Sequence, residues 1–338
     1  MSGHQSLLRI AKSLSHREAG GHGNRWAMFE DRPGEFIKQW LGAVVQKAAR
    51  LPVSADDAVS LDKAVRDGEP EIAGLMYSHE EADLPRAGVL SLIALNQRAS
   101  IRRLFRRRNV LWSAYPFLGD GAVLEAVVTE IGLHPNRVEA RLRLSLDAGP
   151  ALSAFDTLFF QRRARYRADR PYLLSLAALA YEFGPAIETE TVIDDPAAIR
   201  RLRGAETWAR THDGRWSAET DGERVLEQWT PRSPEDLEPI RIMMGRAAYW
   251  MSASSGPADD AAFQGEVVAV EPAYASLLGT TLWRVDVTVM RPYDREIALP
   301  IYVAERAFKT EWRPTVGEYV EGTAWLQCRL VDAGSPSP

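Results

Sequence analysis

Few residues in this 338-residue chain stand at spacings that do recognisable chemistry. The six histidines, His4, His16, His22, His79, His134 and His212, form no H-x-x-x-H pair or other close ligand spacing. His79 with Glu80 and Glu81 comes nearest to a ligand group, but the run reads as a solvated acidic face. No metal or cofactor is expected. A serine nucleophile needs a base and a third group to orient it, and no G-x-S-x-G occurs. Cys328, the one cysteine, lies in an alternating run between Gln327 and Arg329 and reads as a small core-facing or edge residue. A single cysteine excludes an internal disulfide and a cysteine-rich zinc site, which fits a reducing cytoplasm. Ala19 to Asn24 holds three glycines but lacks the Lys-Ser/Thr ending of a phosphate loop. Carboxylates adjoin at Asp56-Asp57, Asp194-Asp195 and Asp259-Asp260. Such pairs act as acid and base only when they meet across a cleft. In sequence they read as solvated, with Asp195 before Pro196 as a helix cap. The chain thus reads as non-enzymatic, and an enzyme assembled from dispersed residues stays open as an alternative.

One constellation points to binding instead. Arg102, Arg103, Arg106, Arg107 and Arg108 surround Phe105 and lead into Trp112 and Tyr115. A second run gathers Arg162, Arg163, Arg165, Tyr166 and Arg167. Residues 98–170 carry fourteen Arg against seven acidic residues, a local +7 in a chain of net −5, so the remainder sums to −12. Arginine on phosphates with aromatic rings under bases is the chemistry of single-stranded nucleic-acid binding. The competing reading makes Arg102–Arg108 the wet face of a helix end, where positive charge suits the dipole. The corresponding later run, Glu305 to Trp312, is charge-balanced and does not continue a basic groove. Tryptophans crowd the second half of the chain, and most read as packing. Trp312, just before the final strand, is the candidate for a partner-binding hot spot.

The elements that must position these residues fall into two kinds. A chain this long implies two or three domains, and 46% hydrophobic with 26% charged residues is an ordinary globular balance. The longest apolar stretch, Tyr172 to Tyr181, is too short to span a bilayer, and Met1 to Ile10 lacks the pattern of an export signal. Only five of 41 basic residues are lysines, a bias that fits a GC-rich bacterial genome. Helical periodicity in Pro33–Ala49, Ser60–Asp67 and Arg86–Arg107 predicts a helical N-terminal region over 1–118. Period-two alternation then predicts strands over Val123–Thr129, Val138–Leu146, Leu152–Phe160 and Tyr172–Tyr181. The same order recurs in Glu266–Val270, Trp283–Val289, Ile297–Val303 and Tyr319–Leu326, at offsets near 144–147 residues. The units so defined are 119–183 and 263–331. Between them, 184–262 reads as a connecting helix from Pro196, a meander over Thr207–Trp229 and a helix over Pro234–Met244. Residues 332–338 read as a disordered tail.

The run Pro314-x-x-Gly317-x-Tyr319-Val320-x-Gly322 resembles strands common in OB-fold barrels. Small barrels close to remove exposed edges. The expected fold is therefore α+β: a helical N-terminal region plus two duplicated small OB-like antiparallel β-barrels with an intervening insertion. The resemblance implies binding through those barrels. The leading expectation is a cytoplasmic bacterial adaptor that recruits a protein partner within a larger assembly. Single-stranded nucleic-acid binding through the Arg-rich first barrel is the alternative, and no membrane partner is expected.

Overall fold

A strand buried on both faces shows a continuous apolar run with no period of two. That rule governs the first third of the chain. A computed structural model describes residues 23–29, 40–42, 44–51, 53–82, 84–98, 107–146, 151–187, 190–211, 229–231, 233–252, 258–292 and 295–331. Strands β1 (Ala49–Arg50), β2 (Ile72–Tyr77), β3 (Ala87–Arg98) and β4 (Arg107–Leu118) form an antiparallel sheet in chain order. The predicted helix over Arg86–Arg107 is thus overturned, and with it the helical N-terminal region. Val89, Leu90, Leu92, Ile93 and Ala94 are all buried, so a two-sided strand imitated helical spacing. Helix survives at 40–42 and 44–47 and in α1 (Ala55–Arg66). Ser54 caps α1 by accepting the Asp57 N–H at 3.2 Å.

The following strands are β5 (Ala122–Leu133), β6 (Ala140–Leu146), β7 (Ala151–Asp156) and β8 (Arg170–Pro185), with a short helix α2 (Phe159–Arg162) before β8. The strand predicted through Phe160 ends at Asp156, because Asp156 turns the chain by accepting the Leu158 N–H at 2.9 Å. Next come β9 (Glu190–Ile193), helix α3 (Pro196–Thr211) and β10 (Ile240–Met243). The helix predicted over Pro234–Met244 is instead a 3-10 turn at Pro234–Leu237 followed by β10, which pairs with β9. The predicted meander begins inside α3, and 212–228 lie outside the described residues. The chain ends in β11 (Tyr249–Ser252), β12 (Asp260–Leu277), β13 (Thr280–Met290), β14 (Ile297–Ala304) and β15 (Tyr319–Leu330). The tail predicted at 332–338 also lies outside the described residues.

The expected pair of separate small barrels is overturned as well. Nine strands form one mixed sheet in the order β11-β12-β13-β14-β8-β15-β7-β6-β5, with β12–β15 and β8–β5 pairing in addition. Strand β8 runs antiparallel to β15 from Pro185↔Val320 to Leu174↔Leu330. Each also pairs in parallel with a strand of the other unit, β14 with β8 at Ile301↔Ala178 and β7 with β15 at Gln327↔Phe155. Neither unit closes without the other. One apolar core accordingly mixes Leu142, Leu144, Leu174 and Leu176 with Phe263, Val285, Val287 and Ile301.

The two sheets share further apolar clusters and a polar clasp. Tyr115 and Phe117 of β4 pack with Phe155 and Trp325, the Tyr115 and Phe155 rings lying edge-on at 4.9 Å. Buried Gln327 donates to the Pro116 carbonyl at 2.8 Å and accepts the Leu118 N–H at 3.0 Å. Its amide thereby pairs backbone groups that would otherwise be dry and unsatisfied. Among the described residues no helix is long and apolar enough to cross a membrane.

Gly322, part of the run that resembles an OB strand, has a local explanation. It pairs with Phe263 of β12 on one side and Phe183 of β8 on the other. A Cβ there would overlap the Glu182 carbonyl oxygen and touch the Phe263 ring at 3.0 Å. The backbones can approach only because that position has no side chain. Gly322→Ala is expected to cost on the order of 3 kcal/mol, read as a lower midpoint in denaturant unfolding. A variant as stable as the parent would refute the three-strand junction.

Candidate binding site around Trp312

Of the predicted basic residues, the side chains of Arg162, Arg163, Arg165 and Arg167 are described. Arg102, Arg103 and Arg106 lie outside the described residues, as do the side chains of Arg107 and Arg108, whose backbone forms the start of β4. Arg162 to Arg167 occupy α2 and the turn leading to β8. Arg162 donates to the Leu330 carbonyl, and Arg163 pairs with Glu69 at 2.5 Å. Tyr166 is 3% exposed and stacked on Phe159 with centroids 6.0 Å apart, so its ring offers no platform to a base. Arg167 donates back to the Ala164 and Tyr166 carbonyls at 2.7 Å. Arg165 and Arg167 remain exposed.

Trp312 stands differently. It lies in the connection from β14 to β15, half-buried, with its ring stacked on Phe183 at 6.4 Å and 19°. That connection is anchored by Phe308, which packs edge-on against Phe183 at 5.7 Å and Trp283 at 5.6 Å. The Arg313 guanidinium lies over the Phe308 ring at 4.2 Å. Gly317, at φ +88°, then turns the chain into β15, and its N–H donates to the Val267 carbonyl at 2.8 Å. The result is a cleft of about 540 Å³ bordered by Pro185, Ala186, Arg246, Trp312, Glu318 and Tyr319. Val316 and Ile187, next to lining residues, are 65% and 63% exposed.

Part of the charge around the cleft is paired. Glu266 accepts from Arg291 Nη2 at 2.6 Å and from the Tyr319 hydroxyl at 3.1 Å, while Arg291 Nη1 donates to that hydroxyl at 3.1 Å. Hydrogen bonding to Tyr319, Glu296 and Glu266 outweighs burial and raises the Arg291 pKa further above its ordinary value. The Glu266 Oε2 thus accepts from a guanidinium and a phenol together. A larger cleft of about 660 Å³ lies between Leu124–Val127, Ser145 and Leu146 on one side and Pro292 and Arg295–Ile297 on the other. Among its described lining residues there is no aromatic ring.

The remaining sequence candidates take structural places. His79 packs on Tyr77 at 5.5 Å and His134 on Phe155 at 5.6 Å. Glu80 follows β2, not a helix, and its carboxylate accepts from the Arg86 N–H at 2.8 Å and Nε at 3.0 Å. Among the described residues no group of three or more His, Cys, Asp or Glu could hold a metal ion. Buried Cys328 has its thiol pushed well up by burial, which withholds the thiolate needed of a nucleophile. Asp195 caps α3, accepting the Ala198 N–H at 3.0 Å. Asp56 and Asp57 lie in the first turn of α1, where the dipole favours them.

The pair Asp259-Asp260 corrects the solvated reading. Both bind the buried guanidinium of Arg25. Adjacent carboxylates beside a strand start were the available signal. Their partner lies 234 residues before Asp259 and 235 before Asp260, a separation no local pattern bridges.

Asp156 is the other buried carboxyl with consequences. It is 1% exposed, and burial pushes its pKa up to about 6, against the opposing pulls of the Tyr166 hydroxyl, the Leu158 N–H and Arg162. The folded pKa therefore exceeds the unfolded value of about 3.9. Its protonated form is favoured in the fold, so that contribution is full below about pH 4 and is lost as pH rises through about 6. Asp156→Asn keeps an acceptor for Leu158 and removes the titration. Its stability relative to the parent is expected to rise between pH 4 and pH 7.5 by up to roughly 3 kcal/mol. Thermal unfolding of both proteins across that range checks this, and a pH-independent difference would sink it.

No protein-family model matches the chain, and no curated protein or solved structure matches it. The β-rich architecture therefore stands without an OB-fold or other family identification.

Proposed function

We propose that this protein is a non-enzymatic binding component that holds a short segment of a partner protein in the Trp312 cleft. One observation carries the reading: a half-buried tryptophan, backed by Phe183, borders a cleft whose neighbours Val316 and Ile187 are exposed. Tryptophan dominates the energetics of protein interfaces, particularly when it is held rigidly and ringed by polar groups. A volume of about 540 Å³ is within the range of sites that enclose a side chain or small ligand. The rim bears both Arg246 and Glu318, so specificity would come from shape and hydrogen bonds and less from long-range charge. Membership of a larger assembly is the natural setting for such a site.

Selection of a random peptide library on the full-length protein tests this reading. Selected peptides are expected to lose at least about tenfold in affinity, or ~1.4 kcal/mol, on Trp312→Ala. Val316→Asp provides a second variant at a solvent-exposed position where the fold should be indifferent. Equal binding to both variants and the parent would rule the cleft out. Low-salt binding of a labelled oligonucleotide, abolished by Arg165→Ala with Arg167→Ala, would favour the nucleic-acid reading instead.

A further inference from the structure

The chain's own segment Gly23–Phe29 is held in the way a docked peptide is held. Arg25 is 4% exposed. Its Nη2 donates to Asp259 Oδ2 at 2.8 Å, and its Nη1 donates to the Tyr181 hydroxyl at 2.6 Å and to Asp260 Oδ1. The guanidinium carbon lies 4.5 Å from the centroid of the Trp325 ring. Trp26, Met28 and Phe29 follow it into an apolar cluster with Val89, Leu118 and Leu179.

The walls of this seat come from other parts of the chain and hold one another. Tyr181 is on β8, Trp325 is on β15, and the aspartates open β12. The Tyr181 hydroxyl donates to Asp260 Oδ1 at 3.0 Å, and Trp325 Nε1 donates to Asp259 Oδ2 at 2.7 Å. Such mutual bonds fix acceptors and ring before a guanidinium arrives. The seat also offers more than Arg25 uses. Asp259 is 1% exposed, and its Oδ1 has no hydrogen-bond partner among the described residues. Two carboxylates face one guanidinium, and a guanidinium carries five N–H donors in a planar fork.

The geometry points to a guanidinium-recognition socket formed by Tyr181, Asp259, Asp260 and Trp325, a binding site for arginine-bearing peptides that the chain fills in cis with Arg25. Carboxylates on the edge and an aromatic face beneath select the planar fork of arginine over the compact ammonium of lysine. Emptying the socket leaves buried carboxylates unpaired, which is strongly unfavourable. The resident arginine therefore leaves when another guanidinium replaces it. This inference is independent of the Trp312 reading.

Full-length Arg25→Ala, Arg25→Lys and the parent, with methylguanidinium and methylammonium as probes, test it by thermal unfolding. Both variants are expected to melt below the parent. Methylguanidinium should raise the melting temperature of Arg25→Ala saturably, with a millimolar midpoint, and leave the parent unraised. Adding Asp259→Asn to Arg25→Ala should abolish the saturable rise. The proposal is overturned if Arg25→Lys melts with the parent, or if the two probes shift Arg25→Ala alike. Should Arg25→Ala not fold, its refolding yield with each probe is the readout, and equal yields overturn the socket.

Discussion

The antiparallel pairing of β8 with β15 is the constraint on which the rest of the structure depends. A strand has two edges, and in this pair one edge of each is spent on the other. The second edge of β8 is divided, with β5 bonded over Arg170–Leu176 and β14 at Ala178 and Leu179. The second edge of β15 is divided likewise, with β12 over Tyr319–Trp325 and β7 at Gln327 and Cys328. Each strand must be long enough to serve two partners in turn, and β8 and β15 run to 16 and 12 residues. Two closed circuits of strands follow, sharing these two members, so the sheet exposes few unpaired groups.

Those shared strands also organise what lies against the sheet. Side chains from β15 reach the four-stranded sheet through Trp325 and Gln327, and Tyr115 answers from β4 with a hydrogen bond to the Thr157 carbonyl at 2.8 Å. Elsewhere on the molecule, Arg284 joins Asp286 at 2.9 Å and Asp120 at 2.7 Å, and the Tyr302 hydroxyl donates to the Asp120 carbonyl at 2.7 Å. Partly buried polar groups of this kind are useful only when their partners are in place. They act as registration pins between layers that apolar packing alone would leave free to slide.

Site and scaffold are consequently linked. The Phe183 ring that backs Trp312 belongs to β8, and the Trp325 ring beneath Arg25 belongs to β15. Both candidate recognition surfaces thus rest on the most fully paired strands of the molecule. Rigid elements of that kind hold an aromatic anchor at low entropic cost.

Alternation in Val138–Leu146 made β6 legible, because its side chains alternate between buried and partly exposed. The apolar Val285, Val287 and Val289 picked out β13, although Leu282, Thr288 and Met290 are buried as well. The apolar run in β3 was not legible as a strand, since burial on both faces erases the period. Strands in 122–185 and 260–330 were visible in order, but how they pair was not. Parallel contacts such as Ile301↔Ala178 join residues 123 apart, and no pattern within either unit encodes them. Among candidate sites, Trp312 was visible as a tryptophan before a strand. Tyr166 and Arg162 looked alike to their exposed neighbours, and only burial separated them. By itself the sequence determined that the half-buried segments such as β6 extend, that Asp195 caps α3, and that Cys328 has no cysteine to pair with. Tertiary structure alone decided that two sets of strands share one sheet and that Asp259 and Asp260 face Arg25. The physical reason is the same in both cases: pairing and burial are set by chain segments far apart in sequence, whereas periodicity reports only on neighbours.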